Sequence, residues 1–421
     1  MNQASQDSPL PPLATAVSGT LNNFVGWLDR YGETSWDHQS YFAGAIGGRA
    51  KAMYYTHPKL GLLAVAPMIF SEAFLPSARR LFHERMRFPI ADAHYAMGFA
   101  SLYETTADPA HLQRAEHFLG ELKKSRSPQS KEYCWGYPFD WVTRNGVIAR
   151  DTPFITTLPY AFEAFLQVHR LAPRDEWQVV LASIARHGFH EIKSVPATAT
   201  ASSCGYSPSD TAGGVINAAA YRSFLLTNAA QVLGNAEYRE AADRNLQFVL
   251  DAQNADGSWF YAVDGVRDFV DHFHTCFVMK ALAKVHTLTG HAKCLEALQR
   301  GADYYVKNLF DEDGLPKPFS KAPRMTVYKR ELYDCAEAIN LCLLLRGRIP
   351  MLNDTLTRLI EGILKDWVRP AGHFRARRLY LGWDNVPMHR WGQSQMFQAL
   401  ALYLRDVSSQ KAEDGGRKAE G

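Results

Sequence analysis

The sequence lacks the features that mark several large classes of protein. Its six cysteines lie far apart and form no Cys-x-x-Cys pair, so neither a zinc knuckle nor a dense disulfide framework is predicted. The longest apolar run, residues 60–70, contains glycine and proline and is too short to cross a bilayer. The net charge is only +3, and lysine and arginine are scattered, which argues against nucleic acid as a partner.

Signals for targeting and for cofactors are also missing. Residues 1–15 are polar and lack the basic and apolar regions of a secretory signal, so we expect a flexible N-terminus and a cytoplasmic protein. Residues 408–421 are charged and contain glycine, which predicts a disordered tail. No glycine-rich dinucleotide fingerprint and no P-loop is present, and we expect neither a cofactor nor a metal. The folded part is then a single domain over residues 16–407.

What the sequence does contain is a repeat of roughly 60 residues, long enough for two helices and their connections. In each unit an Asp or His precedes a small or polar residue and then an apolar helical run. The repeat begins at Asp37, Asp92, Asp151, Asp210, Asp271, Asp334 and, without an aspartate, His389.

The two helices of each unit differ in their pattern of apolar residues. The first is apolar nearly all round, as in residues 215–232, which is typical of a helix buried on every side. The second is amphipathic, as in residues 237–253, and therefore belongs on the outside. The alternation predicts an all-α fold, an (α/α)6 toroid of helical hairpins with short strands or loops over a cleft.

This hairpin repeat, over residues 37–404, resembles the toroid shared by six-hairpin glycosidases, polysaccharide lyases, uronyl C5-epimerases, sugar 2-epimerases and terpenoid cyclases. The resemblance implies an active-site cleft at one end of the inner helices, where each repeated Asp or His would lie. An aspartate at a helix start is also a preferred N-cap, and for any one of them that structural role is the more common.

Two local motifs narrow the resemblance. Residues 248–259, FVLDAQNADGSW, match the Gln-x3-Gly-x-Trp repeat of squalene-cyclase-like proteins, in which the glutamine and Trp259 serve as a structural staple. Residues 209–212, SDTA, are similar to the end of the acidic motif of class II cyclases but lack its aspartate cluster.

Residues 135–158, together with 271–275, resemble proteins of bacterial exopolysaccharide and lipopolysaccharide loci, which implies a carbohydrate substrate.

The densest group of chemically active side chains is Asp271-His272-Phe273-His274. On a starting helix, Asp271 and His274 share a face, and an Asp-His pair can act as acid or base near neutral pH. The segment from Trp135 to Trp141 combines aromatic rings with Asp140, a composition that holds sugar rings, although a buried aromatic cluster is the structural alternative.

Two further clusters contain arginine beside aromatic residues. Tyr328 and Tyr333 lie near Arg330, an arrangement suited to proton abstraction beside a substrate carboxylate, although a surface arginine with packed tyrosines is the more common structural alternative. Arg390, if it points inward, requires a carboxylate or anionic ligand, and closure of the ring would bring His38 next to it.

We therefore predict catalytic residues among Asp271, His272, His274, Asp210, Asp151, Tyr328 and Tyr333. Substrate-binding residues are predicted to be Trp135, Tyr137, Asp140, Arg144, Trp259, Arg330, Asp334, His389, Arg390, Trp391, His38 and His94.

The leading hypothesis is an enzyme, a monomer or homodimer, that acts on an anionic polysaccharide or oligosaccharide. Hydrolysis would use two of Asp140, Asp151, Asp210 and Asp271, whereas lyase or epimerase chemistry would use Tyr or His as the base. The alternatives are a terpenoid-cyclase-like enzyme and a non-catalytic glycan-binding protein of polysaccharide assembly.

Overall fold

The computed structural model of the chain describes residues 10–144, 146–323 and 325–420, with side chains as far as Lys411. Fifteen α-helices are described. They are α1 (Pro12–Tyr31), α2 (Ser40–Ala43), α3 (Ala45–Thr56), α4 (Pro58–Phe74), α5 (Pro89–Thr106), α6 (Pro109–Lys124), α7 (Leu158–Leu171), α8 (Asp175–Arg186), α9 (Ile216–Leu233), α10 (Ala236–Asp251), α11 (His272–Thr289), α12 (Ala292–Asn308), α13 (Leu332–Leu345), α14 (Met351–Asp366) and α15 (Ser394–Glu420).

Twelve of these helices form two concentric rings, as the repeat predicts. The inner ring consists of α5, α7, α9, α11, α13 and α15, and each of these helices packs against the next. Helix α15 packs against α5, which closes the ring. The outer helices α1, α6, α8, α10, α12 and α14 bury only one stripe each, whereas α9 and α13 are buried almost all round. The (α/α)6 toroid predicted from the repeat is confirmed.

All nine described strands lie in the loops that lead from an outer helix to the next inner helix. They are β1 (Trp141–Thr143), β2 (Gly146–Ile148), β3 (Ser194–Pro196), β4 (Ser202–Cys204), β5 (Val270–Asp271), β6 (Phe319–Lys321), β7 (Tyr328–Glu331), β8 (Arg377–Leu379) and β9 (Trp383–Asp384). They pair antiparallel as β1–β2, β3–β4, β5–β6 and the three-stranded β7–β8–β9. These loops therefore cover the face of the ring formed by the N-terminal ends of the inner helices.

The return loops at the opposite face are short because glycine ends several inner helices. Gly234 and Gly290 follow α9 and α11 with φ of 68° and 69°, a left-handed conformation that costs glycine little. The long, structured loops therefore lie at one face of the ring only.

The repeated aspartates occupy different positions relative to the inner helices. Asp271 is the N-cap of α11, as expected for an aspartate at that phase. Asp92 and Asp334 lie inside the first turn of α5 and α13. Asp151 and Asp210 lie in the loops well before α7 and α9, so they open no helix, contrary to the sequence prediction.

The segment between α1 and α5 departs from the hairpin repeat. It contains α2, α3, α4 and a 3-10 turn over Pro76–Leu81, which together form an inserted helical unit. Helices α3 and α4 pack closely where Gly61 meets Tyr54, since a Cβ at Gly61 would lie 2.1 Å from the Cα of Tyr54. The sequence analysis did not predict this unit. No helix of the described residues is both long and apolar enough to cross a membrane.

Both predicted domain boundaries differ from the observed helices. Helix α1 begins at Pro12 with Ala14 fully buried, so the fold starts before residue 16; residues 1–9 lie outside the described part. Proline in the first helical turn is favourable because its missing N–H needs no partner there. Helix α15 continues to Glu420 through the segment predicted to be a disordered tail, a stretch without proline.

Candidate active site

The N-terminal ends of three adjacent inner helices place aromatic rings side by side. The ring of Phe273 on α11 lies 5.4 Å from that of Tyr333 on α13. Tyr333 in turn stacks on Trp391, just before α15, at 6.1 Å and an interplanar angle of 14°. Phe273 and Trp391 are partly exposed and Tyr333 is buried. Stacked aromatic rings are a surface on which the apolar face of a sugar ring can lie.

Asp271 and His274 form a pair beside these rings. Oδ1 of Asp271 accepts the backbone N–H of His274 at 2.9 Å, and Oδ2 lies 2.6 Å from Nδ1 of the imidazole. Because an ionised carboxylate only accepts, Nδ1 of a neutral ring carries the proton and Nε2 keeps its lone pair. Asp271 therefore orients His274, and Nε2 is available as a proton acceptor.

Asp334, in the first turn of α13, is a buried carboxyl group without a hydrogen-bond partner. It is 1 % exposed, and neither of its oxygens is hydrogen-bonded. Burial raises its pKa well above the ordinary value, the negative charges of Glu331, Asp271 and Glu337 raise it further, and Arg377 only partly opposes them. The raised pKa keeps Asp334 a neutral acid, and Asp271 of the Asp271–His274 pair is near enough for its charge to raise that pKa.

Arg377 on β8 holds two carboxylates at the edge of this group. It forms ion pairs with Glu331, the N-cap of α13, and with Glu72 of α4, the latter at 2.6 Å. Its guanidinium also lies 4.4 Å from the centre of the Tyr328 ring. Strand β8 and the inserted unit are thereby joined to α13.

The first and last repeats meet where the ring closes. Arg390 donates to both oxygens of Asp37, at 2.7 and 2.8 Å, and both residues are buried. This pair confirms the prediction that an inward-pointing Arg390 needs a carboxylate. The ring of His38 lies 4.7 Å from that of Trp391, so the predicted proximity of His38 is also confirmed.

Part of the aromatic loop after α6 reaches the same region. The Arg390 guanidinium lies 4.7 Å from the centre of the Tyr137 ring, which contacts Phe139 and Phe154. Trp135 instead is fully buried and donates from Nε1 to the carbonyl of Leu122, so its role is structural. Tyr137 stays a candidate for substrate contact, and Trp135 does not.

Three predicted histidines are fixed inside the protein rather than presented to the cleft. His272 contacts the Leu309 carbonyl and the Tyr305 hydroxyl, at 3.1 and 2.7 Å. His389 and His94 likewise bond buried neighbours. Burial lowers the pKa of each of the three to about 3, so they stay neutral and bonded near neutral pH. This geometry does not favour the catalytic role predicted for His272, because its ring contacts Tyr305 of α12.

The loop aspartates are used to hold turns. Asp210 accepts the backbone N–H groups of Tyr206 and Ala212 at 2.7 and 3.0 Å. Asp140 accepts the N–H of Arg150 at 2.8 Å, which ties the ends of the β1–β2 hairpin. Asp151 has φ of 60° and pairs only with the exposed Arg150. Their expected part in hydrolysis is not supported, because Asp210 and Asp140 accept backbone N–H groups of turns and Asp151 pairs with Arg150.

Three further predicted contacts lie away from the stacked rings. Arg330 pairs with Asp311 and Asp313 in the loop after α12. Arg144 is exposed at the turn of the β1–β2 hairpin. Trp259 is buried and donates to the Val249 carbonyl at 3.0 Å, which agrees with the structural staple and not with substrate contact.

The two tyrosines predicted as bases are unsuited to that role. Burial raises the pKa of Tyr328 and of Tyr333 well above the usual phenol value, which disfavours the phenolate. Arg377 lies against Tyr328 and lowers its pKa, but burial outweighs this effect. Tyr333 contributes its ring face to the stack with Trp391, a contact that needs no ionisation.

Sequence reasoning missed Glu331, Arg377, Arg79 and Asp384. Arg79, in the inserted unit, pairs with Asp384 of β9 at 2.5 Å, and both side chains are fully buried. Glu331 was detectable, since it directly precedes an inner helix at the repeat phase. The other three come from loops and the insertion, for which the repeat provides no register.

Two cavities differ in size and position. One of about 10 Å³ lies beside His274 and Tyr261, room for about one water molecule. One of about 290 Å³ lies between the C-terminal halves of the inner helices, where Lys284 pairs with Glu163 at 2.6 Å and Lys280 with Glu337. Lys280 and Lys284, which line the larger cavity, are thus matched by carboxylates, and Asp334 does not line this cavity.

The sequence matches no known family model and no curated protein. Solved structures do match. An unsaturated glucuronyl hydrolase specific for heparin shares 10% identity over 93% of this chain and 96% of its own, with a TM-score of 0.60. A possible member of the GH105 family from Salmonella enterica serovar Paratyphi A shares 14% over 96% and 99%, with a TM-score of 0.59.

Cellobiose 2-epimerase from Bacillus thermoamylovorans B4167 shares 10% identity over 77% of this chain and 88% of its own, with a TM-score of 0.59. At these identities the likeness concerns the fold, an (α/α)6 toroid present along nearly the whole chain.

Proposed function

We propose that the protein is an enzyme that acts on a saccharide and that Asp334 is its proton donor. The observation that carries the proposal is the buried carboxyl of Asp334, which has a raised pKa and no hydrogen-bond partner among the described residues, within electrostatic reach of Asp271 in the Asp271–His274 pair. The similar solved structures support the substrate class, since their names include a glucuronyl hydrolase, an epimerase, a mannanase and a polysaccharide lyase.

Hydrolysis of a glycosidic bond uses both groups in complementary roles. The carboxylic acid of Asp334 donates its proton to the glycosidic oxygen as the bond to the anomeric carbon breaks. His274 accepts a proton at Nε2 from the water that attacks that carbon, and Asp271 stabilises the resulting imidazolium. Trp391 and Tyr333 provide the stacked surface for the sugar ring.

Proton abstraction from a sugar carbon is the second candidate. The free Nε2 of His274 favours it, because the same atom can remove a carbon-bound proton and Asp334 can return one to the product. The raised pKa values of Tyr328 and Tyr333 disfavour the phenolate that either would need as the base in this scheme. Solvent deuterium distinguishes the two reactions, since only proton abstraction introduces it at carbon.

The buried arginines of the site bear on the charge of the substrate. Arg377 and Arg390, the buried arginines of this region, are both paired with described carboxylates. A uronate carboxylate would therefore compete with Glu72, Glu331 or Asp37 for them. Neutral and uronate-containing glycans both belong in the test.

The test is incubation of the purified protein with a panel of such glycans in deuterated water, followed by NMR and mass spectrometry. New reducing ends without carbon-bound deuterium support hydrolysis, and deuterium at a ring carbon or a new unsaturated uronate supports proton abstraction. Asp334→Asn and His274→Gln should lose turnover, whereas Asp108→Asn, at the N-cap of the outer helix α6, should keep it. Turnover by both site variants at the native rate would overturn the proposal.

A further inference from the structure

We infer that the inserted helices α3 and α4 form a docking surface for a lipid membrane. More than half of the large hydrophobic side chains that are exposed in the described part of the chain lie between residues 46 and 81. Contiguous apolar surface of this kind marks a binding site, whereas single exposed apolar residues are normal. On α4 the exposed residues are Leu60, Leu62, Leu63, Ile69, Phe70 and Phe74.

The exposed apolar surface of α4 extends around most of the helix. Positions 61, 65 and 68 form the one stripe that is buried against the rest of the protein. The stripes on both sides of it, positions 62, 66 and 69 and positions 60, 63, 67, 70 and 74, are exposed and carry no polar side chain. A helix of a partner protein would cover only one of these two exposed stripes, whereas lipid can contact both stripes at once.

Charged residues near the surface favour an anionic membrane. Arg49 on α3 and Lys59 at the start of α4 are exposed and pair with no carboxylate among the described residues. Glu72, the only acidic residue of the two helices, is bound by Arg377 on the side of the toroid. The surface thus combines apolar side chains with unpaired cations, and Tyr54 adds an exposed aromatic ring of the type enriched at membrane interfaces.

The insertion is held rigidly enough to present this surface in a fixed orientation. Gly61 allows α3 and α4 to pack backbone to backbone, and Glu72 and Arg79 tie the unit to β8 and β9. Helix α4 has 17 residues and is about 25 Å long, and its uncharged run is too short to span a bilayer. The geometry therefore corresponds to insertion into one leaflet rather than to crossing.

The terminal segments of these 421 residues are too polar to cover the surface instead. Within these 421 residues, segments 1–9 and 412–421 are dominated by polar and charged residues and glycine. A second copy of the chain is the competing occupant, and the experiment below separates it from lipid.

The test is flotation of the purified full chain with vesicles of phosphatidylcholine, alone or with phosphatidylglycerol added. We expect the native protein to float with both and more strongly with the anionic vesicles. In a double variant, Leu63→Ser with Phe70→Ser, binding should fall by about tenfold or more, since fully burying either side chain is worth more than that. A matched double variant, Val179→Ser with Val266→Ser, alters residues that are 62% and 79% exposed elsewhere and should bind as the native protein does.

Replacement of Arg49 and Lys59 by serine should lower binding to the anionic vesicles only, by roughly thirtyfold, because each of the two cations contributes about 1 kcal/mol near such a surface. Light scattering without vesicles gives the oligomeric state. A dimer that the Leu63 and Phe70 changes dissociate, or a monomer that fails to float, would overturn the inference. Flotation requires no turnover, so its outcome is independent of the proposed saccharide chemistry.

Discussion

Replacement of Asp334 by asparagine separates its catalytic role from its effect on stability. The two side chains have nearly the same shape, but the amide can neither ionise nor donate a catalytic proton. Because the carboxyl is neutral in the folded protein, the substitution removes no ion pair. Turnover should fall by about 10²- to 10⁴-fold, the contribution typical of a general acid.

The pH dependence of stability provides a second readout. The folded-state pKa of Asp334 is raised above its unfolded value of about 4, so the unfolded chain releases this proton at a lower pH than the folded protein does. Between the two pKa values this group lowers the free energy of unfolding by up to about 1.36 kcal/mol for each unit that pH rises. Asp334→Asn removes that decline, so the variant should gain stability relative to the native protein as pH rises above about 4.

The assay is urea unfolding of both proteins across a pH series, beside turnover on the glycan that the panel identifies. Asp108→Asn serves as the control, because asparagine caps a helix about as well as aspartate and the substitution should leave stability and turnover nearly unchanged. If the native protein and Asp334→Asn show parallel stability curves, Asp334 is ionised in the folded state. Full turnover by the variant would refute its role as the acid.

Three further perturbations test other parts of the structure. Asp37→Ala leaves Arg390 buried without its partner, so the free energy of unfolding measured by urea titration should fall by about 3–5 kcal/mol. A loss below about 1 kcal/mol would show that solvent reaches the guanidinium. His274→Gln should abolish turnover and leave the Tm unchanged. His272→Gln disturbs a buried, hydrogen-bonded ring, so it should lower the free energy of unfolding by about 1–3 kcal/mol and leave turnover intact. The opposite result would exchange the roles of the two histidines. Gly61→Val should force α3 and α4 apart, so limited proteolysis between these helices should become faster while the main unfolding transition stays unchanged. Equal cleavage rates for the variant and the native protein would contradict the close packing.

The candidate site could be predicted only in part. Asp271 and His274 were identifiable because they are three residues apart at the start of a helix, where both local geometry and capping chemistry are known. His272 has the same residue type and neighbourhood, yet it faces Tyr305 and Leu309. The direction of a side chain around a buried helix depends on the packing of its neighbours, which the spacing does not specify.

The role of Asp334, the proposed acid, could likewise be predicted only in part from the sequence. Asp334 was noticed as a repeated aspartate, but its pKa is raised first by burial and then by the charges of Glu331, Asp271 and Glu337, which come from two strands and an inner helix. Only their convergence in a buried space makes the proton bind more tightly.

The sequence by itself determined the ring. A period of roughly 60 residues, with an apolar helix followed by an amphipathic one, sets which helices are inside and which outside, because burial follows the distribution of apolar side chains. Tertiary structure alone decided which charges meet: Arg390 with Asp37 across the closure of the ring, and Arg377 with Glu72 of the insertion. Those pairs join residues more than 300 positions apart, and the free energy of bringing them together comes from the packing of the whole toroid rather than from any local pattern.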